Sequence, residues 1–217
     1  MLDFPEKTLF DKVIPKAKFY EKLPVTPAVK RAFVNEIAQI VWLNKLSPET
    51  LNVQSGKRVS ELEVIQIELK HGDLSESVLR VIDRGIPYQL LFLLKRGEEY
   101  QVWIGYKENG SLPDREYFHT GWMTFDELPV QITGLTMDEI CDNFIRQIHG
   151  DLPVGDTGDL KSELTVDRER KKLQQKIAQL EKRLLNEKQF KKQMEIQAEL
   201  RNLKGSLDDV MEVPNGY

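Results

Sequence analysis

Along the first two-thirds of the chain, apolar positions switch between helical and extended spacing. Thr26-Pro27 supplies a capping hydroxyl followed by proline at the first helical position. Ala28, Phe33, Ile37, Ile40 and Val41 follow at spacings near 3.6, which predicts a helix over about residues 27–45, ended by Ser47-Pro48. Residues 61–70 alternate instead: Ile65, Ile67 and Leu69 share one face of a strand, and Val64, Gln66, Glu68 and Lys70 share the other. After a turn at Gly72-Asp73, the apolar positions Val78, Leu79, Val81 and Ile82 mark a helix ending at Gly85 and Pro87.

Tyr88–Leu94 is a compact apolar run and Tyr100–Tyr106 alternates, so Lys95-Arg96-Gly97-Glu98 between them reads as a hairpin turn. Tyr117–Phe125 and Val130–Thr133 read as two further short strands. Thr136 followed by Glu139 is a capping-box pattern opening a helix through about residue 148, with Ile140, Phe144, Ile145 and Ile148 on its apolar face. The first 25 residues read as irregular, broken by Pro5, Pro15 and Pro24, and Val13-Ile14 between two lysines reads as an arm packed on the body.

The pattern changes after residue 149. Three glycines and a proline among Asp, Ser and Thr place a linker over about residues 150–165. Beyond it, Leu173, Ile177, Leu180 and Leu184 step by four, three and four, the spacing of a coiled-coil seam. Ile196, Leu200, Leu203, Leu207 and Val210 form a second seam out of register with the first, since Glu187 and Lys191 interrupt the repeat. One long helix with a register shift and an antiparallel hairpin turning near Asn186 both fit. The sum is a mixed α+β globular domain over residues 1–149 followed by a coiled-coil-type helical arm over 166–211. A single stripe of that width is too little for an isolated helix, so it must meet the other arm, the body, a second copy or a partner.

Charge sharpens the contrast. The chain carries a net −4, yet residues 167–204 hold twelve Lys/Arg and six Asp/Glu, leaving the remainder at −10. A basic arm on an acidic body makes the arm the electrostatic contact, with an acidic protein surface or a phosphate backbone as its complement. The single cysteine, Cys141, excludes a disulfide framework and a four-cysteine zinc site. No apolar run approaches a membrane span and the first residues, MLDFPEKTLFDK, carry no apolar leader, so the expectation is a soluble cytoplasmic protein with no membrane partner.

Chemistry-bearing motifs are few. Neither GxxxxGK[ST] nor GxGxxG occurs. His119 has no evident partner acid or nucleophile, and Cys141 falls on the core-facing side of its helix. Tyr100, Trp103, Tyr106, Tyr117, Phe118 and Trp122 read as cross-strand packing ahead of a base-stacking surface. The sharpest catalytic candidate is Glu68-Leu69-Lys70. A carboxylate and a lysine two apart on a strand can hold a Mg or Mn ion and position a water for phosphodiester cleavage, as in PD-(D/E)XK nucleases. That chemistry needs a further acid, and Glu36, Glu49, Glu61 and Glu63 are those within range. Otherwise no cofactor is expected.

Several segments in combination resemble a known family. Lys12-Val13-Ile14-Pro15-Lys16, Val64 to Lys70, Ile82-Asp83-Arg84-Gly85-Ile86-Pro87-Tyr88, Trp122 and Lys188-Gln189-Phe190 are similar to the prokaryotic domain of unknown function 4391 family. The resemblance covers nearly the whole chain and transfers no active site. It implies a setting beside helicase and DNA-methyltransferase genes in restriction-like antiviral defence clusters, an association that supplies no mechanism. The leading expectation is therefore a non-enzymatic accessory subunit. It docks through the arm residues Leu173, Ile177, Leu180, Leu184, Ile196, Leu200, Leu203 and Leu207 onto such an enzyme or a second copy, with the metal-dependent nuclease of Glu68 and Lys70 as the alternative.

Overall fold

The structure is a computed structural model describing residues 2–106, 116–152 and 159–211. The chain divides into two compact units, Met1–Asp151 and Leu152–Tyr217.

The first unit is built on one six-stranded sheet in the order β1-β2-β3-β4-β5-β6. The strands are β1 (Leu9–Val13), β2 (Ile37–Leu46), β3 (Leu62–Leu69), β4 (Gln89–Arg96), β5 (Glu99–Tyr106) and β6 (Glu116–His119). Every pairing is antiparallel except β3 with β4, which are parallel and joined through helix α4 (Glu76–Gly85). These two central strands are buried on both faces, which is why Leu90–Leu94 is an unbroken apolar run. The turn between β4 and β5 closes on Gly97, at φ +58, a left-handed conformation that suits glycine.

One face of the sheet carries Ile65, Ile67, Leu69, Leu90, Phe92 and Leu94, packed with Phe19 of α1 (Ala17–Lys22), Phe33 of α2 (Pro27–Asn35) and Val78, Leu79 and Ile82 of α4. The short helix α3 (Pro48–Leu51) follows β2, opened by a Ser47–Thr50 capping box. The other face is covered by α5 (Met137–His149). Its Ile140, Phe144, Ile145 and Ile148 are buried, and His149 packs its ring 5.1 Å from Phe118 of β6. Thr136 caps α5 as expected, accepting from Glu139 N, but Glu139 reaches past it to Leu135 N.

Five sequence expectations change. The first 25 residues, expected to be irregular, form strand β1 and helix α1 between their prolines. The helix beginning at Pro27 ends at Asn35, and residues 37–46 are strand β2. Two register shifts in the pairing of β2 with β3 put Ile37, Ile40, Val41 and Asn44 inside, a spacing of three, four and seven that imitates a helix. The expected strand Tyr117–Phe125 reduces to β6. Beyond it Met123 makes one bridge to Tyr100, and Phe125–Glu127 is a 3-10 turn capped by Thr124. Val130–Thr133 is irregular, its backbone held by Gln147 at Gln131. Within the expected linker, residues 153–158 lie outside the described residues, while Leu160 already begins a helix, with Asp159 as its N-cap.

The second unit is a helical hairpin of α6 (Leu160–Asn186) and α7 (Phe190–Met211). Among the described residues no helix is long and apolar enough to cross a membrane.

Candidate docking site on the helical hairpin

The two out-of-register seams are the two arms of the hairpin. Ile177 and Leu180 of α6 bury against Ile196 and Leu200 of α7, with Leu184, Leu203 and Leu207 packed around them. Leu173, earlier on α6, is half-buried. Seven of the eight residues expected to meet a partner thus meet each other, Leu173 being the exception. Lys204 and Glu181 add an ion pair across the arms at 2.8 Å.

The turn is built from polar groups. Glu187 ends α6, and its carboxylate accepts from Gln189 N at 2.9 Å. Gln193 Nε2 donates back to Glu187 O at 2.6 Å. The Gln189 amide at the carboxylate holds the Glu187 pKa below the usual glutamate value. Asn186 closes α6 by donating to Lys182 O.

Around this turn the apolar pattern is inverted. Leu185 is 86% exposed, Phe190 75% and Met194 52%. Phe190 and Met194, four apart, lie on one face of α7. These large apolar side chains stand exposed near the turn while the seam between the two helices is filled. Lys182, Arg183, Lys188, Lys191 and Lys192 surround it in sequence, against Glu181 and Glu187. Lys182 and Arg183 line an open groove of about 520 Å³ with Gln179, Asn186, Glu187 and Ile196. Cations on flexible stems beside exposed aromatic and thioether side chains suit a surface with carboxylates around an apolar centre.

The catalytic candidates sit elsewhere, at the end of β3. Glu68 faces Lys95 across the parallel pair, its Oε1 4.0 Å from Lys95 Nζ, and Lys70 Nζ donates to Val34 O at 2.8 Å. Both side chains are therefore engaged by the body. No group of three or more His, Cys, Asp and Glu placed to hold a metal ion occurs among the described residues. Glu36, Glu61 and Glu63 each keep one buried carboxylate oxygen without a hydrogen-bond partner. His119 stacks on Trp103 at 4.1 Å, with its Nδ1 near Thr120 O and Gln101 Nε2, so the aromatic strand positions serve packing. Cys141 is buried.

Residues 2–207 match the family described as Domain of unknown function (DUF4391). The chain belongs to that family. The match runs through the sheet and on to the last seam leucine, Leu207, so it takes in α6 and most of α7. No curated protein matches the chain, and no solved structure does. The site in this DUF4391 chain therefore rests on its own geometry.

Sequence reasoning found the seams and did not single out the exposed residues near the turn. Part of the signal was present: Leu185 and Phe190 are large apolar residues of the arm that fall off both heptad seams.

Proposed function

We propose that this DUF4391 protein is a non-enzymatic accessory subunit that docks, by its hairpin tip, onto an acidic surface of a larger DNA-processing enzyme. The observation that carries this reading is the exposure of Leu185, Phe190 and Met194 beside a cluster of cations, on a hairpin whose own seams are already filled. The seam residues Leu173, Ile177, Leu180, Leu184, Ile196, Leu200, Leu203 and Leu207 then act on docking by holding the two helices together. The setting implied by the family resemblance supplies the class of partner, a helicase or DNA methyltransferase of a prokaryotic restriction-like system working in the cytoplasm.

The test is co-expression of the full chain with a helicase or DNA methyltransferase of a restriction-like system from the same organism. Affinity is measured by calorimetry for wild type, for Leu185→Ser/Phe190→Ser/Met194→Ser and for Lys182→Glu/Arg183→Glu. Aromatic anchors in interfaces each contribute about 2 kcal/mol or more, so the triple serine variant should weaken binding at least ~30-fold. The charge-reversed variant should bind more weakly at low salt and converge on wild type as salt rises. Equal affinity of wild type and triple variant, with hairpin helicity intact in both, would refute tip docking. A wild-type dimer that the triple variant dissolves would instead make the occupant a second copy. Salt-sensitive DNA binding indifferent to the serines would make it a phosphate backbone.

A further inference from the structure

Two cavities of the first unit meet at one pair of acids. An open groove of about 370 Å³ has Trp42 of β2 with Glu63 and Ile65 of β3 for its floor, and Gly85, Ile86 and Tyr88 beside it. A smaller pocket of about 110 Å³ lies against Glu61, Arg58, Tyr106 and Cys141. Pro87 and Tyr88 line both, so the wall between the cavities runs through Glu61 and Glu63.

Glu61 and Glu63 stand two apart at the start of β3 and therefore share one side of it. Each is anchored to β2 by one oxygen. Glu63 Oε2 accepts from Trp42 Nε1 at 2.6 Å, and Glu61 Oε1 from Lys45 Nζ at 3.0 Å. The other two oxygens, Glu61 Oε2 and Glu63 Oε1, are buried, and among the described residues no N–H or hydroxyl group reaches them. They serve each other, in a hydrogen bond between the two side chains. Two carboxylates cannot form such a bond, because both only accept. A carboxyl and a carboxylate can, with a single proton between them.

We propose that this shared proton is a latch: in place, it ties Glu61 to Glu63 and closes the wall between pocket and groove; once it leaves, Glu61 swings outward and joins the two cavities. Relative burial decides which acid moves. Glu63 is 1% exposed and stays with the Trp42 indole, whereas the Glu61 side chain is 22% exposed and already borders the pocket that can receive it. Ionised together, two buried carboxylates in contact repel each other, and Lys45 offsets this in part. On the groove side the pair faces Tyr88 after α4 and Lys18 and Lys22 of α1. On the pocket side it faces Arg58, Tyr106 and Cys141. Burial first pushes the Glu63 pKa up to about 7, and Glu61 adds to this as a like charge and as a hydrogen-bond partner, against the lowering by Trp42 and Lys45. The latch therefore opens as pH rises through neutrality.

The test is a pH titration of the full-length chain from 5 to 9, followed by NMR. In the wild type, the carboxyl carbon-13 signals of Glu61 and Glu63 should move together with one midpoint near 7, since the proton belongs to the pair. The Trp42 indole proton should shift with the same midpoint as its acceptor ionises. A soluble paramagnet should broaden the Ile65 methyl signals more at pH 8.5 than at pH 5.5, because Ile65 lies on the floor of the groove that opens. Glu61→Gln offers Glu63 Oε1 an amide N–H in place of a titrating proton, so the step near pH 7 should vanish from Glu63 and Trp42 and the Ile65 broadening should no longer depend on pH. A wild-type Glu61 signal that stays still while Glu63 titrates overturns the shared proton, as does a Glu63 step near 7 that survives Glu61→Gln. A common step with unchanged Ile65 broadening overturns the opening.

Discussion

The carboxylate of Asp138 occupies the space that a side chain at Gly56 would need: a Cβ on Gly56 would lie 2.3 Å from Asp138 Oδ1 and 2.6 Å from Val59 O. From that position Asp138, in the first turn of α5, accepts from the backbone amides of Lys57, Arg58 and Val59 at 2.7–3.2 Å. One acid thus complements the positive end of α5 and ties down the loop entering β3. Gly56→Ala must expel the carboxylate, and we expect it to cost about 2–4 kcal/mol in urea unfolding. Asp138→Ala should cost a similar amount. The double variant should cost clearly less than the two together, because both remove the same three hydrogen bonds. Strict additivity would mean that the Val59 carbonyl, and not Asp138, is what excludes a side chain at Gly56.

Glu63 should make the stability of the first unit fall as pH rises. Its folded pKa of about 7 lies above the ordinary glutamate value, chiefly through burial. The folded state therefore holds the proton more tightly than the unfolded chain. The stabilisation is complete below the unfolded pKa near 4.5 and is lost as pH climbs through 7. A shift of that size is worth on the order of 3 kcal/mol. Urea unfolding at pH 5, 6, 7 and 8 should show this decline in the wild type and a flatter profile in Glu63→Gln. Trp42→Phe removes the one donor to the ionised carboxyl and should move the decline to higher pH. A wild-type profile as flat as that of Glu63→Gln would disprove the assignment.

Asn44 is buried on β2 and donates its amide to Thr8 Oγ1 at 2.9 Å. Thr8→Val keeps the volume but leaves that amide without an acceptor. It should lower unfolding stability by about 1–3 kcal/mol, whereas Thr8→Ser should stay near wild type. Equal losses in the two variants would assign the cost to packing at Thr8.

Much of the fold was legible because most elements obey a single period. Ile65, Ile67 and Leu69 alternate and are strand; Ile140, Phe144 and Ile148 step by four and are helix. Where a period failed, a local irregularity had imitated the other one. The bulges of β2 turned strand spacing into helical spacing, and only the beta-branched and aromatic content of Ile-Val-Trp argued against a helix. Glu63 was legible too, by parity with Ile65, but an acid flanked by Glu61 reads as solvent-facing unless register is followed through. Its groove was not legible, because Trp42, Gly85 and Tyr88 come together only through the β2–β3 and β3–β4 pairings. Nothing in the sequence period could separate one long helix with a register shift from a hairpin, because both arms are ordinary seams. The polar stretch at Glu187–Gln189 decides it by folding into a turn.

That hairpin should stand or fall on its small seam, not on its many charges. Each helix alone has too narrow a stripe to persist, so the burial of Ile177, Leu180, Ile196 and Leu200 against one another supplies the cohesion. Leu200→Ala removes a central member and should cost about 2–4 kcal/mol, seen as an earlier loss of far-UV helical signal on heating. Lys204→Ala breaks the ion pair with Glu181, but both side chains are about half exposed, so the change should stay under about 1 kcal/mol. Phe190→Ser, at the exposed tip, should leave the helical melt where it is. If Lys204→Ala melts the hairpin as early as Leu200→Ala does, charge pairing and not the seam holds the arms together.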